Sequence, residues 1–151
     1  MSVLILIHVL SAIVGIGPTF FAHLLTKPNK NVGELRIAMN YMRLLEFFPK
    51  IGGSIAVLTG IALFLVGEYG PFTQLWLLGS LILYILIQII VIGFITPPAK
   101  KVNEWLDQPE NLELTGAPPE EIQTALVSIY RRFYLASSLG LLLFIFMILK
   151  P

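Results

Sequence analysis

Four stretches of this chain carry no Asp, Glu, Lys or Arg: residues 1–26, 51–67, 69–99 and 133–149. The hydrocarbon core of a bilayer is about 30 Å thick and a helix rises about 1.5 Å per residue, so one crossing takes about 20 apolar residues. The 151 residues suffice for four crossings, and the 13 % charged residues are about half the share of a water-soluble domain. The expected fold is all-α, an integral membrane four-helix bundle running up-down-up-down. Its helices fall at about 3–25, 49–67, 74–96 and 120–149, and residues 1–151 form a single transmembrane domain. The second window is short, and its helix can begin earlier because Pro49 permits a kink. No Lys or Arg precedes the first apolar run, which is longer than the core of a signal peptide, so it reads as a retained helix.

Basic residues near membrane helices stay cytoplasmic. Lys27, Lys30, Arg36, Arg43 and Lys50 follow the first helix, and Lys100, Lys101, Arg131 and Arg132 lie between the third and the fourth; Lys150 alone falls at the other end. This pattern predicts a multi-pass plasma-membrane protein with both termini outside and one short outer hairpin around Glu68 and Pro71. A net charge of +1 offers no case for nucleic-acid binding. The absence of Cys excludes disulfides, thiolate metal sites and a Cys nucleophile, and two His exclude a three-His zinc site. No phosphate loop, nucleophile elbow or metalloprotease helix appears, so soluble enzymology is unsupported.

Leu35, Met39, Met42 and Leu45 recur at helical spacing while Arg36, Asn40 and Arg43 take another face, which predicts an amphipathic helix over about 33–48 at the membrane interface or leading into the second span. The segment from Pro97 to Glu121 carries six acids against Lys100 and Lys101 and is bounded by proline pairs, which predicts a solvated loop. The fourth helix, opened by Pro119 and two Glu, is longer than a bilayer is thick, and its first three turns are expected to project into the cytoplasm.

Polar side chains in spanning helices face inward. His8, Ala12, Gly15 and Thr19 share one face of the first helix, Ser80, Tyr84 and Gln88 one face of the third, and Tyr130, Tyr134 and Ser137 one face of the fourth. Counting residues inward from the outer boundary places Ser54, Gln88 and Ser137 at one depth, as a polar interior layer. Such residues either line a pathway or hold helices together. Gly52, Ala56 and Gly60 are small residues four apart, a surface for the first helix of the same chain or for a second copy in a homodimer.

His8 lies about five residues inside the outer boundary, in a helix otherwise lacking strong polar groups, and burial favours its neutral, metal-ligating form. Haem iron needs one imidazole for an axial bond, which makes haem b the cofactor to consider, with His8 as the metal ligand. His8 and His23 are 15 residues apart on one helix, about 22 Å, so they cannot share an iron. Met147, at similar depth, and Tyr84 are the other candidates at a cofactor site. At the basic end Glu46 lies on the apolar side of its segment and needs a partner; His23, Lys50, Arg131 and Arg132 are available for an ion-pair network or an anion site. Two function classes follow: a bundle binding haem or another hydrophobic cofactor through His8, and a non-enzymatic transporter, channel or assembly subunit.

The opening from His8 through Gly15, Gly17, Pro18 and Thr19 to Phe21 resembles the bacterial membrane family catalogued as domain of unknown function 2269, and the resemblance extends over the four-helix hydropathy plan. It implies a plasma-membrane four-helix protein. A His early in the first helix followed by small residues also resembles, more distantly, the haem-binding protoporphyrinogen oxidase of the HemJ type and CopD-like copper-resistance membrane proteins. Gly17, Pro18 and Thr19 stand where the oxidase pattern has aromatic and basic residues, so that resemblance implies only His8 as an axial ligand.

Overall fold

A computed structural model describes all residues from Met1 to Pro151, and no strand occurs. Six α-helices follow one another: α1 Ser2–Leu25, α2 Val32–Leu45, α3 Phe47–Val66, α4 Leu75–Gln88, α5 Thr96–Leu106 and α6 Glu120–Leu149. A π-helical segment, Ile89–Ile95, joins α4 to α5 without interruption. The chain has four helical stretches long and apolar enough to cross a membrane: Ser2–Leu25, Val32–Val66, Leu75–Leu106 and Glu120–Leu149. They run up and down in turn; α1 packs between α3 and α6, and α6 packs on α4. The bundle is open on its fourth side, where α3 and α4 scarcely touch although they are consecutive.

The third span does not stop at residue 96, where the proline pair was expected to end it. Pro97 and Pro98 lack the N–H groups that an α-helix would offer to the carbonyls of Gly93 and Phe94. The widened turn accommodates this: both the amide and the Oγ1 of Thr96 reach back to the carbonyl of Val91. The guanidinium of Arg132 donates to the carbonyl of Phe94. Beyond the prolines, Ala99, Val102 and Leu106 recur on one face and are buried. The expected solvated loop is therefore helical over its first half, because that apolar face has somewhere to go.

That place is a helical cap at the basic end. Val32, Leu35, Met39 and Met42 of α2, Ala99, Val102 and Leu106 of α5, and Ile122, Leu126, Ile129 and Phe133 of α6 form one cluster of 13 buried residues, completed by Ala22 and Ile95. Within the spans the corresponding cluster numbers four residues, Ile16, Leu83, Ile87 and Leu143. The first turns of α6 project beyond the spans, as their length requires, and they are the centre of this core.

Local chemistry explains the cap's outline. Asn31 and Glu34 form a reciprocal capping box that starts α2, with Asn31 Oδ1 accepting from the Glu34 amide at 2.8 Å. The Val32 amide donates to the carbonyl of Gly116 at 2.9 Å, which pins the connection before α6. Arg36 donates to the carbonyls of Leu106 at 2.7 Å and Asn111 at 3.0 Å, satisfying the end of α5. Arg43 bonds Asn103 Oδ1 at 3.1 Å and Asp107 Oδ2 at 2.6 Å. Two of the basic residues that follow the first helix thus fasten α2 to α5. The helix expected from 49 starts at Phe47, with Pro49 in its first turn, where a missing N–H costs nothing.

At the opposite end Gly70, at φ 80°, supplies the left-handed residue of the hairpin between α3 and α4. Lys150 lies 5.1 Å from the Trp76 ring and 5.7 Å from the Tyr69 ring, holding the chain's end against that hairpin.

Candidate functional site

The approach of α1 to α3 determines what His8 meets. A Cβ on Gly15 would stand 2.6 Å from the Gly53 amide nitrogen, and one on Gly52 would stand 2.7 Å from that of Gly15. The two backbones are therefore in direct contact, as glycine alone permits. Gly52, Ala56 and Gly60 face α1 of the same chain, with Gly60 lying against the His8 ring. Of the two partners expected for this stripe, the structure shows the first helix of the same chain.

In that seam the Nδ1 of His8 lies 2.8 Å from the carbonyl oxygen of Ala56 and 3.1 Å from Thr59 Oγ1. The Thr59 hydroxyl itself donates to the carbonyl of Ile55 at 2.6 Å. A carbonyl only accepts, so Nδ1 carries a proton, and in a neutral ring Nε2 keeps the lone pair. Nε2 makes no hydrogen bond, and the ring is half-buried. A glycine at position 60 leaves room for it, since a Cβ there would stand 3.1 Å from His8 Cε1.

Neither of the other residues expected at a cofactor site makes a hydrogen bond to His8. Met147, on α6, packs against the small cluster of Ile16, Leu83, Ile87 and Leu143. Tyr84, on α4, reaches across the open side of the bundle; its hydroxyl would stand 3.3 Å from a Cβ on Gly53. The seam holds one of the chain's two imidazoles, and no group of three or more His, Asp or Glu able to hold a metal ion occurs.

Ser54, Gln88 and Ser137 do not join in one hydrogen-bonded layer. Ser54 is exposed and donates to the carbonyl of Lys50 at 2.6 Å, within its own helix. Ser137 donates across the bundle to the carbonyl of Thr19 at 3.0 Å. Gln88 is half-buried at the flank of α4 and bonds neither of them. Counting residues gives depth but not the direction in which a side chain leaves its helix.

Of the charge network expected at the basic end one pairing forms, Glu46 with Lys50, and His23, Arg131 and Arg132 take other places. Glu46 pairs with Lys50 one turn on, at 3.3 Å. Arg132 serves Phe94, with its guanidinium carbon 5.7 Å from the ring centre. Arg131 is exposed. His23 stacks on Tyr134, the ring centres 4.5 Å apart, beside the Tyr130–Tyr134 hydroxyl pair at 3.3 Å, and its Nδ1 is buried without a partner. Arg36 and Arg43, placed by the sequence on the polar face of their helix but given no partner there, and Asn103, which was not singled out, fasten the cap; the signal that pointed to their partners is the apolar periodicity of residues 99–106, which makes that segment a helix with carbonyls to be satisfied.

Four apolar spans, an up-and-down order and a basic helical cap define an α-helical integral membrane protein. The chain belongs to the family described as "Predicted integral membrane protein (DUF2269)", which matches residues 2–151. No curated protein and no solved structure matches it.

Proposed function

We propose that this chain is a plasma-membrane protein, with its basic cap in the cytoplasm and both termini outside, that holds a haem-type cofactor through Nε2 of His8. The supporting observation is the hydrogen bond from His8 Nδ1 to the Ala56 carbonyl. Ligating imidazoles are held in this way: the second nitrogen is tied to a carbonyl, which fixes the tautomer and turns the free lone pair outward. His8 is the residue that would hold such a group, in an apolar setting, since it stands in a helix without a charged side chain. Met147 packs on the cluster of Ile16, Leu83, Ile87 and Leu143 and is given no part in holding the group. When bound, such a group would supply one-electron or oxygen chemistry, and the chain's part is to hold it and to exclude water. A transport pathway has less support, because the hydroxyls of Ser54 and Ser137 are engaged with backbone carbonyls.

The test is an absorption scan of the protein purified from membranes in mild detergent, with haem supplied during expression. A Soret band is expected from the wild type and none from His8→Ala, while Thr59→Val keeps the band. A colourless wild-type protein that takes up no haem would overturn the reading. The orientation is tested separately: the chain has no Cys, so Glu68→Cys should react with an impermeant maleimide on intact cells and Lys100→Cys only after lysis. The reverse pattern would invert the topology.

A further inference from the structure

Helix α2 has two apolar faces half a turn apart. Leu35, Met39 and Met42 are buried in the cap, whereas Ile37, Tyr41 and Leu44, at the same spacing, are 61 %, 57 % and 68 % exposed. A helix apolar on opposite sides is one covered on both sides, and nothing in the chain covers the second. The polar residues Arg36 and Arg43 lie between the two faces and are held by α5.

The exposed face borders a groove of ≈ 440 Å³ between α1 and α2, lined by Phe21, Leu24, Leu25, Tyr41, Leu44 and Leu45. All six are hydrophobic. The volume is within the range of sites that take small molecules, about 300–1,000 Å³, and the lining offers no charge and no amide to recognise a polar one. One wall, Phe21 and Leu24, is exposed surface of the spanning helix α1, and beyond Leu44 the surface continues over exposed Phe47 and Phe48 into α3. Both flanks are helices apolar and long enough to span the membrane, so the groove is continuous with the lipid-facing surface at the basic end of the spans.

We infer that this groove seats one acyl chain of a phospholipid from the leaflet at the basic end, with Tyr41 and Leu44 of α2 dipping into the boundary between headgroups and chains. Burial of apolar area in the lipid drives the contact, as for any interfacial amphipathic helix. A seated chain differs from bulk lipid in that α1 and α2 enclose it on two sides, so it stays with the protein when surrounding lipid is diluted. This inference is independent of any cofactor at His8.

The experiment places a tryptophan in the groove and asks what touches it. Tyr41→Trp and, as a second probe, Leu44→Trp are made in full-length chain carrying Trp76→Phe and Trp105→Phe, with Leu65→Trp as a control on the outer, lipid-facing side of α3. In liposomes of phosphatidylcholine brominated in its acyl chains, groove emission should fall to less than half of that in the unbrominated lipid and should be unaffected by iodide. In detergent, with only a few brominated lipids added per protein, the groove probes should still be quenched and the Leu65→Trp control should not. Quenching by iodide would put the face in water, equal quenching of groove and control in detergent would mean unselective lipid contact, and shielding from both quenchers would mean another protein surface, such as a second copy. Each of these three results overturns the inference.

Discussion

The guanidinium of Arg132 on α6 donates to the carbonyl of Phe94, the acceptor that would pair with residue 98 in an unbroken α-helix and cannot, because residue 98 is proline. An arginine one helix away thus supplies the hydrogen bond missing from the third span. Removing one partner of a bond to a charged group costs about 1–3 kcal/mol when the other is left unsatisfied. Arg132→Ala should therefore lower thermal stability in detergent, and the loss should shrink when Pro98→Ala restores the amide. A double-mutant cycle with no coupling between the two positions would refute the relationship.

The contact of Gly15 with Gly52 predicts an asymmetry among glycines of the first three helices. Gly52→Ala inserts a methyl 2.7 Å from a backbone nitrogen and must part α1 from α3; strain of this kind costs about 1–3 kcal/mol. Gly17→Ala meets nothing within 4 Å and should be neutral or stabilise by about 0.5–1 kcal/mol through helix propensity. Denaturation midpoints of the two variants measure this, and equal effects would place the seam elsewhere.

The cap should contribute more to stability than equal apolar volume in the spans. Leu126 is wholly buried, and truncating such a side chain costs about 2–5 kcal/mol. Leu126→Ala should expose the α5–α6 region to limited proteolysis. Leu65→Ala, on a lipid-facing surface, should change stability by less than about 0.5 kcal/mol. Comparable losses from both would mean that the cap is not the principal core.

The tautomer of His8 is open to direct observation. Nitrogen NMR of labelled histidine should find the Nδ1-protonated form at His8 in the wild type. Gly60→Val, which crowds the ring at Cε1, should shift that signal. An Nε2-protonated ring in the wild type would contradict the bond to Ala56.

Much of the fold was legible because the membrane requires it: a bilayer admits long apolar helices and little else, so charge-free windows give the spans directly. The continuation of the third span through Pro97 and Pro98 was hidden, because proline announces a break and the residues that mend this one, Val91 and Arg132, lie five residues back and a helix away. The apolar rhythm of Ala99, Val102 and Leu106 carried the counter-signal. Candidate-site residues fared differently for a geometric reason. His8 was visible as an imidazole in lipid, but its acceptor is a backbone carbonyl, which leaves no trace in a side-chain pattern. Ser54 and Gln88 share a depth, yet their helices present them in directions that do not meet.

Helix α6 runs unbroken from Glu120, inside the cap, to Leu149 at the far end of the spans. It is one stiff rod with its first turns in the core of the cap and its last at the far end of the bundle. Whatever tilts or rotates one end of this rod therefore moves the other, so the packing of the cap and that of the far end of the bundle are mechanically joined.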